Sequence, residues 1–400
     1  MAANLLSGSD PFRVVVAGGG VAALETIIGL RSVADRRLDL TLVAPAEHFI
    51  YRPLEVGEPF GLGHPRRYEL AEVARDLGTV FRCDAVVRVR PGERTVALAS
   101  GAELPYDALV VAVGARAVPA YEHGVTFDRE LEAASFDEAL GDVGAGLAPS
   151  VAVVVAPGVS WTLPAYELSL MTAAWGAAAR AEGVRVTLVT AEDAALEAFG
   201  PEVSRAVEDI LAAGGVSLKT GVAADVTTDT SLRLGRTGHW LTADRIVSLP
   251  ALSGHRIAGL PHDPDGFLPV DDHGRVAGVE RVYAAGDGTA QPIKQGGLAA
   301  QQADAVVEHL AAATGGEVGP RPYRGVLRGL LRTDDGPRYL RAELDDVATT
   351  STISTRPLWW PPSKIASIWL SPYLAQRESA RAATARPLAT GGLARHAAAP

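Results

Sequence analysis

The run Val282-Tyr-Ala-Ala-Gly-Asp-Gly-Thr-Ala-Gln-Pro-Ile-Lys-Gln-Gly-Gly-Leu-Ala-Ala-Gln-Gln-Ala-Asp304 constrains this chain more than any other stretch. Val282 to Ala285 is a short apolar run with the composition of a buried strand. Gly286-Asp287-Gly288 then gives a turn in which the backbone can approach a ligand closely, because glycine carries no Cβ. Asp287 offers a carboxylate that accepts hydrogen bonds from ligand hydroxyls. Pro292 to Gly297 is a second loop, with one cation, Lys294, and the sequence Gln295-Gly296-Gly297 at its end. From about Leu298 the pattern is Ala-rich and helical, through Val306 and Leu310. The loop therefore delivers a helix N-terminus, where partial positive charge collects. A hydroxylated ligand on Asp287 with an electron-poor ring over the helix end suits this arrangement, and a flavin is such a ligand. A strand, a turn and a surface helix with no ligand is the plainer alternative.

The N-terminal part has the same logic. Phe12 to Ala17 reads as a buried parallel strand, followed by Gly18-Gly19-Gly20-Val21-Ala22-Ala23 and a helix through Leu24, Ile27, Ile28 and Leu30. Gly-x-Gly-x-x-Ala between a strand and a helix is the fingerprint of a pyrophosphate on a helix N-terminus. The next strand, Leu38 to Val43, leads to Ala44, where an acid for ribose hydroxyls is usual. Glu47 is the nearest acid.

Four hundred residues suggest two or three domains with ample core. A net charge of −10 argues against a nucleic-acid surface. The single cysteine, Cys83, excludes an intramolecular disulfide and any Cys-x-x-Cys redox pair, and it is expected to be a small core residue. No metal site is expected. Met1 to Pro11 lacks the pattern of a signal peptide, and no run reaches the ~18 apolar residues of a membrane span. The expected location is the cytoplasm.

The stretch 282–304 resembles the second FAD motif of flavoproteins related to sulfide:quinone oxidoreductases and type II NADH dehydrogenases. Tyr106-Asp-Ala-Leu-Val-Val-Ala-Val-Gly-Ala115 resembles the segment that ends the first FAD half in those families, with Ala112 and Gly114 near the cofactor. Three FAD-type segments, 14–23, 106–115 and 282–297, thus occur in order, with room between the last two for a second nucleotide-type domain. The resemblance implies an α/β fold: two Rossmann-like domains of the glutathione-reductase type plus a smaller C-terminal segment. The expected division is 12–118 and 246–318 for the FAD domain, 119–245 for the second domain, 319–375 for a C-terminal cap, and 376–400 for a disordered tail. The resemblance also places Val86 at the adenine and Arg52 beside the flavin, a surface salt bridge being the other role open to Arg52.

The second domain departs from the pattern. The strand Val151 to Val155 is followed by Ala156-Pro-Gly-Val-Ser-Trp-Thr-Leu-Pro-Ala-Tyr-Glu-Leu168, where a nicotinamide site would have Gly-x-Gly-x-x-Gly. Pro157 has no N–H to donate and Trp161 is bulky where close approach is wanted. NAD(P)H binding is therefore doubted, a variant loop that still binds it being the alternative. Pro164-Ala-Tyr-Glu167 looks closest to sulfide:quinone oxidoreductases, but the sulfur-handling cysteine that loop commonly carries is absent. Glu167 aligns with an acid that faces the flavin in the type II NADH dehydrogenase pattern, so it and Lys294 are the candidate catalytic residues. A helix-surface glutamate is the competing view of Glu167. Trp359, Trp360 and Trp369 offer an aromatic wall over the flavin, a membrane-surface contact through 358–374, or ordinary packing.

These features, together with a likeness to actinobacterial-type FAD-dependent oxidoreductases of unassigned substrate, point to an enzyme passing electrons through FAD to a quinone or other small acceptor. An NAD(P)H dehydrogenase with a variant loop and a non-catalytic flavin-binding sensor are the alternatives. Peripheral contact with the inner face of the membrane and a homodimer are left open.

Overall fold

Five strands hydrogen-bonded side by side, Val282–Ala284, Ala108–Val111, Phe12–Ala17, Leu38–Ala44 and Val80–Cys83, make the sheet of the first domain in the computed structural model, which describes residues 11–34, 38–179, 183–235, 238–344 and 350–385. Every neighbouring pair is parallel, with Val14 opposite both Leu40 and Ala108. Side chains alternate across the pleat. Val14 and Val16 join the core under helices α1 (Val21–Val33) and α6 (Gly296–Ala313), while Val15 and Ala17 face the antiparallel ribbon Val86–Arg90, Thr95–Leu98 and Glu103–Pro105. Both faces of the central strands are covered, which is why Val14–Ala17, Ala108–Val111 and Val282–Ala284 read as unbroken apolar runs. Helix α2 (Leu70–Asp76) is preceded by a short strand, Arg67–Glu69.

The second domain repeats the plan. Val125–Thr126, Arg245–Ser248, Ser150–Val155, Arg185–Thr190 and Val216–Lys219 form a parallel sheet. Helices α3 (Ala133–Gly144), α4 (Leu163–Ala178) and α5 (Pro201–Ala213) cover one face, and an antiparallel meander over 224–242 covers the other. Because Arg245–Ser248 pairs within this sheet, the second domain extends past the expected boundary at 245. Ala115–Val118 pairs antiparallel with Ala251–Gly254 and joins the two crossings between domains.

The C-terminal part is an antiparallel sheet, Val326–Leu331, Arg338–Glu343 and Ser351–Ser354, followed by α7 (Leu370–Ala385). The expected tail is thus helical as far as Ala385; residues 386–400 and 1–10, which carried the remaining tail and leader expectations, lie outside the described residues. Cys83 is exposed at the end of an edge strand, not in the core. Burial of its neighbours failed because the edge strand Val80–Cys83 has exposed positions on both sides.

A buried carboxylate ties this C-terminal part to the first domain. Glu25, fully buried on α1, accepts from the backbone N–H groups of Ile368 (2.9 Å), Trp369 (2.9 Å) and Leu370 (2.6 Å), and so caps α7. Asp304 of α6 faces Glu25, and burial and then the Glu25 charge push its carboxyl up to about 9. In the unfolded chain that group ionises near 3.8. The native state therefore holds a proton the unfolded state has lost, and stability falls as pH rises from about 4 to about 9, by up to about 1.4 kcal/mol per pH unit. Asp304→Asn removes this dependence, so the variant gains stability over the parent between pH 5 and pH 9, as measured by urea denaturation across a pH series (slope bounded at about 1.4 kcal/mol per unit).

Candidate functional site

All five strands of the first sheet end on one edge, which brings Gly18–Gly20, Ala44, Ala112–Gly114 and Gly286–Gly288 together. Gly18 has φ +125°, and a Cβ there would lie 2.0 Å from the Ala112 carbonyl oxygen, so the first turn admits no side chain. A Cβ on Gly19 would meet Leu70 at 2.7 Å and Ala44 at 3.0 Å, whereas one on Gly20 would meet nothing within 4 Å. The loop is closed behind and open in front. Gly20 is the N-cap of α1 and gives no side-chain hydrogen bond to it, and the first turn (Val21, Ala22, Ala23) has no acid. Its N–H groups are thus placed for an anion in front of Gly20.

The opposite lip is built from the turn after Val282–Ala284. Gln302 Oε1 accepts from Gly286 N (2.8 Å) and Thr289 Oγ1 (3.1 Å), which locks the turn onto α6. Gly286 has φ +87°, and its missing Cβ lets Ala22 and Ala299 of the two helices close around it. Asp287 stands between these lips. Its carboxylate receives no hydrogen bond from any described residue, yet protein surrounds it, and burial raises it to about 6 against the opposing pull of Lys294. The side chain retains some accessible surface, so it sits in a deep crevice that a ligand can reach. A buried carboxylate with no protein donor is matched by ligand hydroxyls. Gly20 open in front, Asp287 unpartnered and the α6 N-terminus beside it together fit FAD.

Lys294 is turned inward. Its ammonium donates to the Thr289 carbonyl and lies 3.8 Å from the centre of the Phe267 ring. Burial lowers it to about 8, with Asp287 opposing the shift. Gln295 caps α6 by accepting from Leu298 N at 2.9 Å, which leaves the N–H groups of Gly296 and Gly297 at the helix start.

Glu167 is not on a helix surface. It is fully buried on α4, accepts from Arg332 N at 3.0 Å and is ion-paired with Lys364, whose side chain is 9 % exposed. Burial lowers the Lys364 pKa, with Glu167 opposing it. The next residue, Ile365, donates its N–H to Tyr51 Oη (2.8 Å) and packs where a Cβ on Gly296 would be, 3.1 Å away. Lys364 thus precedes, by one residue in the chain, the side chain that packs on Gly296 at the start of α6.

Arg52 takes the surface role. It pairs with Glu130 at 2.5 Å and with Glu55 at 3.6 Å. Its neighbour Glu55 is a half-buried carboxyl raised to about 7 by burial, in the same short helical turn, Arg52–Gly57. Val86 opens the ribbon strand after Asp84, and Glu47 is exposed beyond Ala44. The three tryptophans diverge. Trp359 packs edge-on against Tyr339 (5.1 Å) and donates to Ser363 O, Trp360 is exposed, and Trp369 lies against Gly29 on α1. No single aromatic wall forms from them.

In the second domain, the acid after Arg185–Thr190 is Glu192, and it is already satisfied. It accepts from Tyr166 Oη (2.8 Å), Thr162 Oγ1 (3.0 Å) and Thr190 Oγ1 (3.0 Å). Trp161 is folded against Phe199 at 6.0 Å. Lys364, Tyr51, Glu55 and Glu192 were not singled out from the sequence. Lysine scarcity was the available signal for Lys364, since the chain has only Lys219, Lys294 and Lys364.

The family model described as pyridine nucleotide-disulphide oxidoreductase matches residues 12–305. An NADH dehydrogenase-like protein of Mycobacterium tuberculosis is 30% identical over 295 residues, covering 69% of this chain and 72% of the relative. The ferredoxin–NAD(+) reductase component of the p-cumate 2,3-dioxygenase system of Pseudomonas putida is 29% identical over 312 residues, 71% of this chain and 69% of the relative. The solved sulfide:quinone oxidoreductase of Aquifex aeolicus superposes with a TM-score of 0.74 at 20% identity, over 86% of this chain and 87% of that one.

Removing one partner of the buried ion pair leaves an uncompensated charge. Lys364→Met is expected to cost about 3–5 kcal/mol in denaturant unfolding. Adding Glu167→Gln, which keeps the acceptor for Arg332 N–H, restores most of that loss.

Proposed function

The chain belongs to the pyridine nucleotide-disulphide oxidoreductase family, and from that premise we propose that this FAD-dependent oxidoreductase passes electrons to a quinone or another small acceptor. The observation that carries the cofactor assignment is Asp287, a carboxylate in a deep crevice that no described residue hydrogen-bonds, on the edge shared by Gly20 and the α6 N-terminus. When bound, FAD supplies two-electron transfer chemistry. The α1 N–H groups behind Gly18, Gly19 and Gly20 would hold its pyrophosphate, Asp287 would accept from its sugar-like hydroxyls, and Gly296 and Gly297 would offer N–H groups to its negatively polarised edge. Ala44, Ala112 and Gly114 on the same edge, and Val86 at the start of the ribbon strand, would offer backbone contacts. Lys294 is read as a fixed cation that shapes the Asp287 turn through Thr289 and raises the local potential.

Glu167 and Lys364 are assigned the proton. The pair is dry and buried, and Lys364 has its pKa lowered by that burial, which makes its ammonium a better donor than a solvated lysine. The packing of the next residue, Ile365, on Gly296 supports a role for this proton near the α6 N-terminus.

The electron donor is read as something other than NAD(P)H. Glu192 is consumed by Thr162, Tyr166 and Thr190, and Trp161 occupies the loop after Ser150–Val155. The rival reading, an NAD(P)H dehydrogenase with a variant loop, draws on the NADH dehydrogenase-like relative. Anaerobic mixing separates the two: neither NADH nor NADPH is expected to bleach the visible flavin absorbance on the seconds scale, and rapid bleaching by either one establishes the rival.

Asp287 itself gives a second expectation. Its folded carboxyl is raised from 3.8 to about 6, so its contribution to stability is full below pH 4 and is lost as pH rises through 6. Asp287→Asn should therefore stabilise the cofactor-free chain at pH 7 by about 1–3 kcal/mol, discounted for its partial exposure. The same change should weaken FAD binding by roughly tenfold or more, read by fluorescence titration.

A further inference from the structure

A cavity of about 680 Å³ lies on the outer face of α6, away from the edge described above. Its walls are α6 at Gln301 and Asp304, the segment 321–328, and the C-terminal run from Trp359 to Pro372. Gln301 forms the partition toward the α6 N-terminus, since it donates to Gly297 O (2.9 Å) and Val326 O (2.9 Å) and accepts from Val326 N (2.9 Å). The volume is that of a small-molecule site.

The lining charges are unevenly committed. Arg321 is paired with Glu308, and Arg341, opposite Arg328 across the sheet, bonds Glu343 at 2.7 Å. Arg328 is half-buried in the cavity, and no described residue hydrogen-bonds its guanidinium. Burial, and then the neighbouring Arg341 charge, lowers its pKa, with Asp304 opposing the shift. Asp304 does not supply a full counter-ion, because its carboxyl is held neutral to about pH 9, and its Oδ1 is buried without a partner. Two indoles complete the mouth. Trp359 is held by Tyr339 and Ser363, and Trp360 is 84% exposed. An apolar side chain this exposed at a cavity rim gains by covering a flat ligand.

We propose that this cavity binds a planar aromatic monoanion, a carboxylate or phenolate, with its charge on Arg328 and its ring against Trp359 and Trp360. Among the described residues lining the cavity, Arg321 and Arg324 have partners and Arg328 has no hydrogen-bonded one, which matches a single negative charge. Glu308 on the wall disfavours a polyphosphate. A guanidinium beside aromatic faces is the combination that selects an aromatic anion over an aliphatic one. The Asp304 proton is engaged with Glu25, so Asp304 contributes neither a charge nor a donor to the anion. The groups facing it are Glu25 from α1, Glu308 on α6, and Arg321 and Arg328 from the adjoining segment. Ionisation of Asp304 would place a second negative charge beside the ligand, so affinity falls as pH rises through about 9.

The test is calorimetric titration of the full, FAD-loaded, oxidised chain with naphthoate, with naphthalenemethanol as the neutral isostere. No turnover is involved, and FAD content is read separately from the visible spectrum, so the result is independent of the acceptor proposed above. Naphthoate is expected to bind one per chain, about tenfold or more tighter than the alcohol. Arg328→Gln should erase that preference, and Trp360→Ala, at an exposed position that does not threaten folding, should weaken binding about threefold. The proposal fails if naphthoate does not bind, if it binds no better than the alcohol, or if Arg328→Gln or Trp360→Ala binds it as the parent does.

Discussion

The cofactor side of this molecule is placed by one constraint: the strands of the first sheet all run the same way. Their C-terminal ends must then fall on one edge, whatever the distance between them in sequence. Residues 17, 111 and 284 become neighbours through hydrogen bonding alone. The approach of Gly18 to the Ala112 carbonyl follows from that pairing, because the two strands cannot lie in register with a side chain between them. The α1 and α6 N-termini then arrive at the same edge, since each helix begins directly after a strand or the loop that follows one. An anion site and a hydroxyl acceptor are thus set about one ligand by topology, before any side chain except Asp287 is asked to contribute.

The C-terminal part is attached differently, through buried carboxylates. Glu25 takes three N–H groups at the start of α7, and Glu167 takes the Arg332 N–H and the Lys364 ammonium. Both acids lie on helices that follow a nucleotide-type strand, one in each domain. A dehydrated carboxylate is costly alone and stable when every oxygen is met, so each anchor tolerates only one arrangement of the segment that meets it. The segment 364–370 is therefore fixed against both domains by polar contacts whose geometry is specific, while the apolar contacts of Ile365 and Leu370 supply area without that selectivity. Specific placement is what the proton role proposed for this pair requires.

Much of the fold was legible because parallel strands buried on both faces are spelled as Val-rich runs bounded by glycine. The runs 12–17, 108–111, 151–155 and 282–284 all appear as strands. Boundaries were less legible where burial is one-sided: Cys83 sits on an edge strand whose exposure no local pattern reports. The helix through Ala385 was misread as tail because Ala and Arg are good helix formers, and composition alone does not distinguish a docked helix from a free segment. At the site, glycines and Asp287 were legible since their requirements are local. Lys364 and Tyr51 were not, since their roles arise from contacts with residues 197 and 314 positions away in sequence. Arg52 showed the converse, a residue in the right loop whose partners, Glu55 and Glu130, are supplied by the protein.

The second domain bears most directly on the proposed electron supply. Its sheet has the same parallel plan as the first, so its edge should be equally receptive. The difference lies in what fills that edge. In the first domain the acid at the turn, Asp287, has no protein donor; in the second, Glu192 has three hydroxyl donors of its own. Tyr166 extends this network by accepting from Leu196 N, and Trp161 closes the loop against Phe199. A ligand hydroxyl entering there would have to displace hydrogen bonds already made, with no new polar group satisfied in exchange. The same architecture thus yields one edge whose acid no described residue hydrogen-bonds, and one whose acid is already paired within the chain.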